Sequence, residues 1–193
     1  MTHETSKAVM RRLSDSRFIT RYFVGDGIDI GAGSDSLSNY REFFPGMGTV
    51  QDWDLPDGDA QLMESVPDRS YNWIHSSHCL EHMRDPVEAM RNWSRILKYG
   101  GHMILLVPDE DLYEQSVFPS RFNGDHKTTW TIQKDSSWSP VSVSCTSFLA
   151  NFPELEILKL ELLDASYRYS VKNQDQTLTP IGESAIEIIL RKK

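Results

Sequence analysis

The sequence predicts one α/β domain with a mostly parallel sheet and a C-terminal antiparallel hairpin. Strand and helix patterns alternate through the first half of the chain, and residues 102–107 form a continuous apolar run, typical of a strand covered on both faces. Two later strands, at residues 155–163 and 185–190, are separated by a polar stretch and predict the hairpin. A length of 193 residues fits a single domain.

The N-terminal elements follow from hydrophobic spacing. Residues 5–22 predict a helix, because their apolar residues recur at helical intervals. Residues 27–31 predict a short buried strand that runs into a glycine turn. Further strands are predicted at residues 49–53 and 71–77.

The best-defined helix follows these strands. Asp85 is a good N-cap and Pro86 a good first helical residue. The pair Gly100-Gly101 is predicted to end this helix, and Pro108 to end the strand after it. The apolar positions at helical spacing are Val87, Met90, Trp93 and Leu97. Beyond the strand the chain is polar and irregular, with a short helix predicted at residues 139–149.

Charge and composition narrow the class of function. Twenty Lys and Arg against 28 Asp and Glu give a net charge of -8, which disfavours nonspecific binding to nucleic acid or anionic lipid. Apolar runs fall well short of the roughly 18 residues that a membrane span needs. The first residues do not resemble a secretory signal, and two cysteines cannot form a disulfide framework. We therefore expect a cytoplasmic protein with reduced thiols.

The first motif with chemical meaning is the glycine turn. The segment GIDIGAGSD at residues 27–35 ends a strand in a G-x-G turn, which lets a ligand approach the backbone. The third glycine of a dinucleotide fingerprint would fall at position 36, which is Ser36, and this weakens a nicotinamide or flavin hypothesis. The alternative is a purely structural turn.

Acidic residues follow at the distance expected for ribose binding. Asp52 lies 19 positions after Gly33, and Asp54 lies 21 after it. A carboxylate at the end of the second strand can accept both ribose hydroxyls of a nucleoside. The alternative is a solvated turn acid.

A third segment, residues 75–86, is rich in metal-ligand residue types. The spacing His78-x-x-x-His82 would suit zinc on a helix, with Glu81 as a base. However, the segment leaves a buried strand and precedes a helix capped at Asp85, so a loop is the better prediction. We therefore predict no metal site.

Four landmarks together resemble class I S-adenosylmethionine-dependent methyltransferases, over roughly residues 25–110. They are the sequences DIGAG at 29–33, GDA at 58–60 after an acidic strand end, SSHCLEH at 76–82 and LKYGGH at 97–102. The resemblance is to the small-molecule branch, whose members act on sugars, lipids, quinones or antibiotics. It implies a Rossmann-like fold.

Two further segments resemble a group of short methyltransferases that accompany bacterial surface-polysaccharide genes. They are residues 107–113 and 123–127. This resemblance implies a small-molecule or glycan-type acceptor, methylated at oxygen. The chain departs from the family where the third glycine is replaced by Asp35, and where residues 52–59 leave no room for a helix and a strand. We therefore expect about six strands in place of seven, and a shortened sheet edge that a second copy can cover as a homodimer.

The resemblance also implies roles in binding S-adenosylmethionine. The glycine turn, with Gly31, Ala32 and Gly33, would lie under the methionine, and Asp29 would lie near its amino group. Asp52 would bind the ribose, with Asp54 as the alternative. Trp53, Asp59 and Ala60 would lie at the adenine, and Ser77 and His78 at the transferred methyl group. The implied division is an N-terminal helix (1–24), a cofactor-binding core (25–108), an acceptor-side lid (109–151) and a strand pair (152–193).

Histidines are the expected bases, since a hydroxyl nucleophile needs a proton acceptor with a pKa near neutrality. His126, in the irregular region after the fourth strand, is the first candidate, with Asp125 to orient it. His82 and His78 are the second candidates. Alternatives are a non-catalytic regulatory subunit that binds S-adenosylmethionine or its demethylated product, a nicotinamide-dependent oxidoreductase and, opposed by the charge, a nucleic-acid methyltransferase.

Overall fold

The computed structural model describes residues 3–193 and contains two sheets with short helices around them. Its α-helices are α1 (Glu4–Arg12), α2 (Pro86–Ile96) and α3 (Cys145–Leu149). Its strands are β1 (Gly25–Ile30), β2 (Met47–Trp53), β3 (Tyr71–Ser77), β4 (Leu97–Pro108), β5 (Thr129–Thr131), β6 (Ser142–Ser144), β7 (Leu155–Leu163) and β8 (Ala185–Lys192).

The main sheet has six strands in the order β2-β1-β3-β4-β8-β7. The first four strands are parallel, whereas β8 runs antiparallel to both β4 and β7. The predicted α/β class, the mostly parallel sheet of six strands and the C-terminal antiparallel pair are thus confirmed. Since β1, β2 and β3 run the same way, their carboxyl ends meet at one edge, where open α/β sheets bind ligands.

Both faces of β4 are buried over residues 103–108, as its apolar run predicts. Met103 and Leu105 pack on the side of α2, and Ile104 packs on the opposite side with an aromatic cluster. Leu106 contacts Ala8 of α1. The N-terminal helix therefore packs on the face opposite α2.

Two helix predictions need correction. The predicted helix 5–22 is broken: α1 ends at Arg12, and a separate π-helical turn follows at Phe18–Tyr22. Helix α2 has its N-cap at Asp85 as predicted, but it ends at Ile96 and not at Gly100-Gly101, which lie inside β4. The amides of Arg69 and Ser70 donate to the last helical carbonyls, which satisfies them from a distant turn.

The region between β4 and β7 has more structure than expected. A π-helical turn spans Glu110–Glu114, and β5 and β6 pair in parallel. Only the second half of the predicted helix 139–149 is helical. No helix within residues 3–193 is both long and apolar enough to span a membrane.

Candidate functional site

A cavity of about 660 Å³ opens at the carboxyl ends of β1, β2 and β3. Its wall combines the glycine turn, the loop after β2 and the loop after β3, so it joins three of the predicted landmarks. The predicted site residues that line it are Gly31, Gly33, Trp53, Asp59, Ala60, His78, His82 and Asp125. A smaller cavity of about 210 Å³ continues past the turn and adds Ala32, Ser77 and Glu4.

The glycine turn needs glycine for two different reasons. Gly31 has φ 77° and Gly33 has φ 54°, a left-handed conformation that side chains rarely adopt. A Cβ on Gly31 would also lie 2.7 Å from Sγ of Cys79, whereas a Cβ on Gly33 would meet nothing within 4 Å. Gly31 therefore lets the turn approach the loop after β3, and Gly33 leaves open space toward the cavity.

Asp29 lies under the turn and does not line either cavity. It accepts a hydrogen bond of 2.6 Å from Nδ1 of His75 and one of 2.7 Å from the amide of Leu37. His75 in turn accepts from Arg12 at 3.0 Å, and all of these side chains are buried. Asp29 thus supports the turn from below, and a role at the methionine amino group stays a prediction.

The two candidate ribose acids are placed differently. Asp52 accepts hydrogen bonds from the hydroxyls of Ser36 and Ser38 and is not among the cavity-lining residues. Asp54 lines the large cavity, where its carboxylate also caps the turn that follows by accepting from the amide of Leu55. The geometry therefore brings Asp54, and not Asp52, to the cavity.

The residues predicted at the adenine lie together. Trp53 is buried, with 4% of its surface exposed, and forms part of the cavity wall. Gly58 packs against its ring, since a Cβ on Gly58 would lie 3.2 Å from Cζ2 of Trp53. Asp59 is held at the rim by Arg84, whose guanidinium donates at 2.6 Å and lowers the pKa of Asp59. The carbonyl of Ala60 accepts from the indole of Trp93.

The loop after β3 presents polar groups without partners. The hydroxyl of Ser77 and Nε2 of His78 are buried and make no hydrogen bond within the described part of the chain. His78 also has φ 53°, an uncommon conformation for a residue with a side chain. Burial lowers the pKa of His78 to about 3, so its imidazole is neutral. These polar groups beside two cavities are available to bind a ligand.

A third cavity, of about 220 Å³, adjoins the first two. It shares His78 and His82 with the largest cavity and Glu4 with the second. His126, the first candidate base, lines it at 6% exposure, together with Glu81. The structure thus brings all three candidate histidines together next to the predicted cofactor site.

The orientation of these histidines differs from the prediction. Asp125 contacts Nδ1 of His82 at 3.1 Å, and it makes no side-chain contact that would orient His126. Nδ1 of His126 instead donates to Glu114 at 2.6 Å. The partner expected for His126 was therefore wrong, because a buried carboxylate 12 positions earlier is closer in space than its sequence neighbour.

Several residues of the site were missed from the sequence. Glu114 lies in the π-helical turn after β4, and Glu4 lies in α1. Both are buried, and burial raises the pKa of Glu4 to about 7 despite its ion pair with Lys7. The sequence offers only a weak signal for Glu114, which is an acid directly after the apolar pair Leu112-Tyr113.

Comparison with known proteins identifies the family. A family model described as a methyltransferase domain matches residues 9–139, which is more than half of the chain. Curated protein sequences give no match.

Solved structures share the fold at low sequence identity. An S-adenosylmethionine-dependent methyltransferase from Archaeoglobus fulgidus is 17% identical, with a TM-score of 0.58 over 99% of this chain and 95% of that one. The plantazolicin methyltransferase BpumL, in complex with S-adenosylhomocysteine, is 12% identical, with a TM-score of 0.58 over 98% and 84%. A chain from the complex of the Haloferax volcanii Trm112 methyltransferase activator with a methyltransferase is 13% identical, with a TM-score of 0.54 over 100% and 98%.

The predicted landmarks thus lie around connected cavities at the strand ends, and the family model covers the four parallel strands that form them. The chain belongs to the methyltransferase-domain family and is a class I S-adenosylmethionine-dependent methyltransferase.

Proposed function

We propose that the protein transfers a methyl group from S-adenosylmethionine to a hydroxyl of a small-molecule or glycan-type acceptor. One observation carries this proposal: the cavities at the glycine turn and the cavity at His126 meet at His78 and His82. A methyl donor and an acceptor placed in these cavities would be adjacent. Methyl transfer is an in-line displacement, in which positioning of the two reactants supplies most of the rate.

The two cavities at the glycine turn fit the methyl donor in a defined direction. The adenosine would occupy the cavity of about 660 Å³, with Trp53 at the adenine and Asp54 at the ribose. The methionine would lie across the glycine turn, where the unpaired hydroxyl of Ser77 can donate to its carboxylate. We therefore assign the ribose to Asp54, because the hydroxyls of Ser36 and Ser38 already engage Asp52.

The third cavity fits the reacting end of the acceptor. Its volume of about 220 Å³ is below the roughly 300–1,000 Å³ typical of sites that enclose a drug-sized ligand. A single sugar hydroxyl at the end of a longer molecule would enter it, and the rest of the acceptor would remain outside. His126 and His82 are the candidate groups to accept the hydroxyl proton, while S-adenosylmethionine supplies the electrophilic methyl group.

Calorimetric titration tests the donor site. We expect S-adenosylmethionine and S-adenosylhomocysteine to bind with micromolar Kd and NADH not to bind. Asp54→Asn should raise the Kd about 10- to 100-fold, as expected for the loss of a charged hydrogen bond. Asp52→Asn is the matched control, two positions away and bonded to serines, and should change the Kd little. Equal effects of both variants would contradict the assignment of the ribose.

Turnover separates catalysis from regulation. S-adenosylhomocysteine formation would be followed with a panel of free sugars, nucleotide sugars and oligosaccharides. We expect at least one hydroxylated acceptor to stimulate it, with loss of stimulation when the hydroxyl is blocked. Donor binding without turnover on any acceptor would favour the non-catalytic alternative.

The edge strand β2 suggests an additional protein contact. It pairs only with β1 within the described residues, so its outer edge offers unpaired backbone groups to a second chain. We propose a homodimer, and light scattering after gel filtration would measure its mass. A monomer under these conditions would favour a different protein partner, a possibility raised by the Haloferax volcanii methyltransferase in its activator complex.

The buried, unbridged thiols of Cys79 and Cys145 fit a cytoplasmic location.

A further inference from the structure

Two imidazoles and one carboxylate converge in the cavity of about 220 Å³ beside the proposed S-adenosylmethionine site. Nε2 of His82 and Nε2 of His126 each lie 3.8 Å from the same carboxylate oxygen of Glu81. One ligand atom from each of the three residues lies within 4.8 Å of the others. We call Glu81, His82 and His126 the three-residue cluster.

Glu81 is the unusual member of this cluster. It is fully buried, and neither of its carboxylate oxygens has a hydrogen-bond partner within residues 3–193. A buried carboxylate is normally paired with a cation or with several donors, because burial removes its hydration. The distances of 3.8 Å to the two histidines are too long for hydrogen bonds. The space between the three side chains is where a ligand of this carboxylate would bind.

The two histidines are oriented to present lone pairs to that space. Nδ1 of His126 donates to Glu114 at 2.6 Å, and Nδ1 of His82 donates to Asp125 at 3.1 Å. In a neutral imidazole whose Nδ1 carries the proton, Nε2 is an acceptor. The carboxylate–imidazole pair is the usual arrangement behind a metal-ligating histidine, since it fixes the tautomer and the ring direction.

We propose that the three-residue cluster is a binding site for a divalent first-row metal ion such as Zn²⁺, Mn²⁺ or Co²⁺. Two imidazoles and one carboxylate form a common set for these ions and leave coordination positions open. Ligands about 2.1 Å from a metal are roughly 3–3.5 Å apart. Glu81 would therefore move toward each histidine by a few tenths of an ångström, and the two imidazoles, whose ligand atoms lie within 4.8 Å of each other, would approach to the same spacing. The sequence-based expectation of no metal site weighed only the pair His78 and His82 and rejected it because residues 75–86 predict a loop, whereas the second histidine of the cluster comes from a distant loop.

The site deepens the proposed function, on which its role in the reaction rests. His78 borders both the three-residue cluster and the donor cavity, so an open coordination position would face the acceptor. An acceptor hydroxyl bound there would lose its proton to solvent more readily. Its oxygen would then bond to the methyl carbon as the sulfur–carbon bond breaks, and neutral S-adenosylhomocysteine would leave with the bonding electron pair. In this arrangement His126 acts as a ligand and not as the base.

Metal binding by the whole protein tests the inference without any acceptor. Protein stripped with a chelator would be titrated with Co²⁺, followed by visible absorption, and with Zn²⁺, followed by calorimetry. We expect one ion per chain and loss of binding by at least about 100-fold in Glu81→Gln and His126→Gln. Glu114→Gln removes only the partner of a ligand and should weaken binding about 10- to 100-fold.

A matched control is available in the same chain. His102 lies on β4 with its ring 5.2 Å from that of Tyr22, away from the three-residue cluster, so His102→Gln should bind the metal as the wild type does. Folding is controlled separately by circular dichroism and by melting without metal. Added Zn²⁺ should raise the Tm of the wild type and of His102→Gln, but not the Tm of Glu81→Gln.

The outcomes distinguish this inference from the proposed function. Binding of Co²⁺ weaker than millimolar, or binding that folded Glu81→Gln retains, would overturn the metal site. If the metal site is overturned but the wild-type protein still binds S-adenosylmethionine and turns it over, the proposed function stands, with a histidine as the base. If the metal binds as expected and S-adenosylmethionine does not, the site stands and the proposed function fails.

Discussion

Glu187 is the central anion of a buried ion-pair cluster, and its neutralisation should destabilise the fold strongly. Its carboxylate contacts Arg12 at 3.1 Å, Arg11 at 2.9 Å and Lys159 at 2.8 Å, and the side chains of Glu187 and Arg12 are fully buried. Burial alone would raise the pKa of Glu187, but the charges of Arg12 and Arg11 outweigh it and hold the pKa well below its usual value.

The size of the effect follows from which cations can reach solvent. In Glu187→Gln the side chains of Arg11 and Lys159, exposed to 27% and 21%, can turn toward water or toward other acids. Arg12 cannot, so one buried charge is left without its partner. Breaking a buried pair in this way costs about 3–5 kcal/mol.

Urea unfolding at pH 7 would measure this loss, with Glu161→Gln as the control. Glu161 also pairs with Lys159, but it is 47% exposed, and such pairs contribute about 0–1 kcal/mol. The double variant Arg12→Met with Glu187→Met should recover part of the loss. A loss below about 1 kcal/mol for Glu187→Gln, or one equal to that of the control, would refute the reasoning.

The remaining predictions concern the turn and two pH profiles. Gly31→Ala should abolish binding of S-adenosylmethionine in calorimetry, because the new Cβ lies 2.7 Å from Cys79, whereas Gly33→Ala adds only backbone strain of about 1–2 kcal/mol and should retain the fold by circular dichroism. Because burial raises the pKa of Glu4 from 4.5 to about 7, the folded state holds this proton longer than the unfolded state does. Wild-type stability relative to Glu4→Gln should therefore fall by up to about 3 kcal/mol between those pH values in urea unfolding, and a constant difference would contradict the prediction. The depressed pKa of Glu187 has the opposite sign: its contribution is present above about pH 4.5 and lost below it, so acid should destabilise the wild type more than Glu187→Gln, and equal acid sensitivity would contradict the prediction.

The elements with strong local signals were predictable. The N-cap Asp85 and the strand ranges 71–77 and 155–163 agree with the structure, because capping and alternation are local properties. The end of α2 was not predictable, since its last carbonyls are satisfied by Arg69 and Ser70 from a turn outside the helix. Gly100-Gly101 follow the helical pattern closely and were therefore predicted to end α2, but they lie inside β4.

The candidate site shows the same division. The glycine turn and the acids Asp52 and Asp54 follow from motif spacing, but which acid faces the largest cavity depends on tertiary structure, in which Ser36 and Ser38 engage Asp52. The pairing of His126 with Glu114 was inaccessible, because it depends on how the π-helical turn after β4 directs a buried carboxylate. Local patterns therefore predicted residues that line the largest cavity, and tertiary packing decided the contacts around His126.

A series of buried side-chain contacts runs from Glu187 through Arg12 and His75 to Asp29, and it bears on the order of folding. Glu187 and Arg12 are 175 positions apart, so their contact closes a very long loop and can form only after nearly the whole chain has been synthesised. Until β8 has been synthesised and docked, Arg12 lacks its counter-ion and the support beneath the glycine turn is incomplete. The donor site should thus be among the last parts of the nascent protein to mature, which makes ligand binding a natural reporter of completed folding.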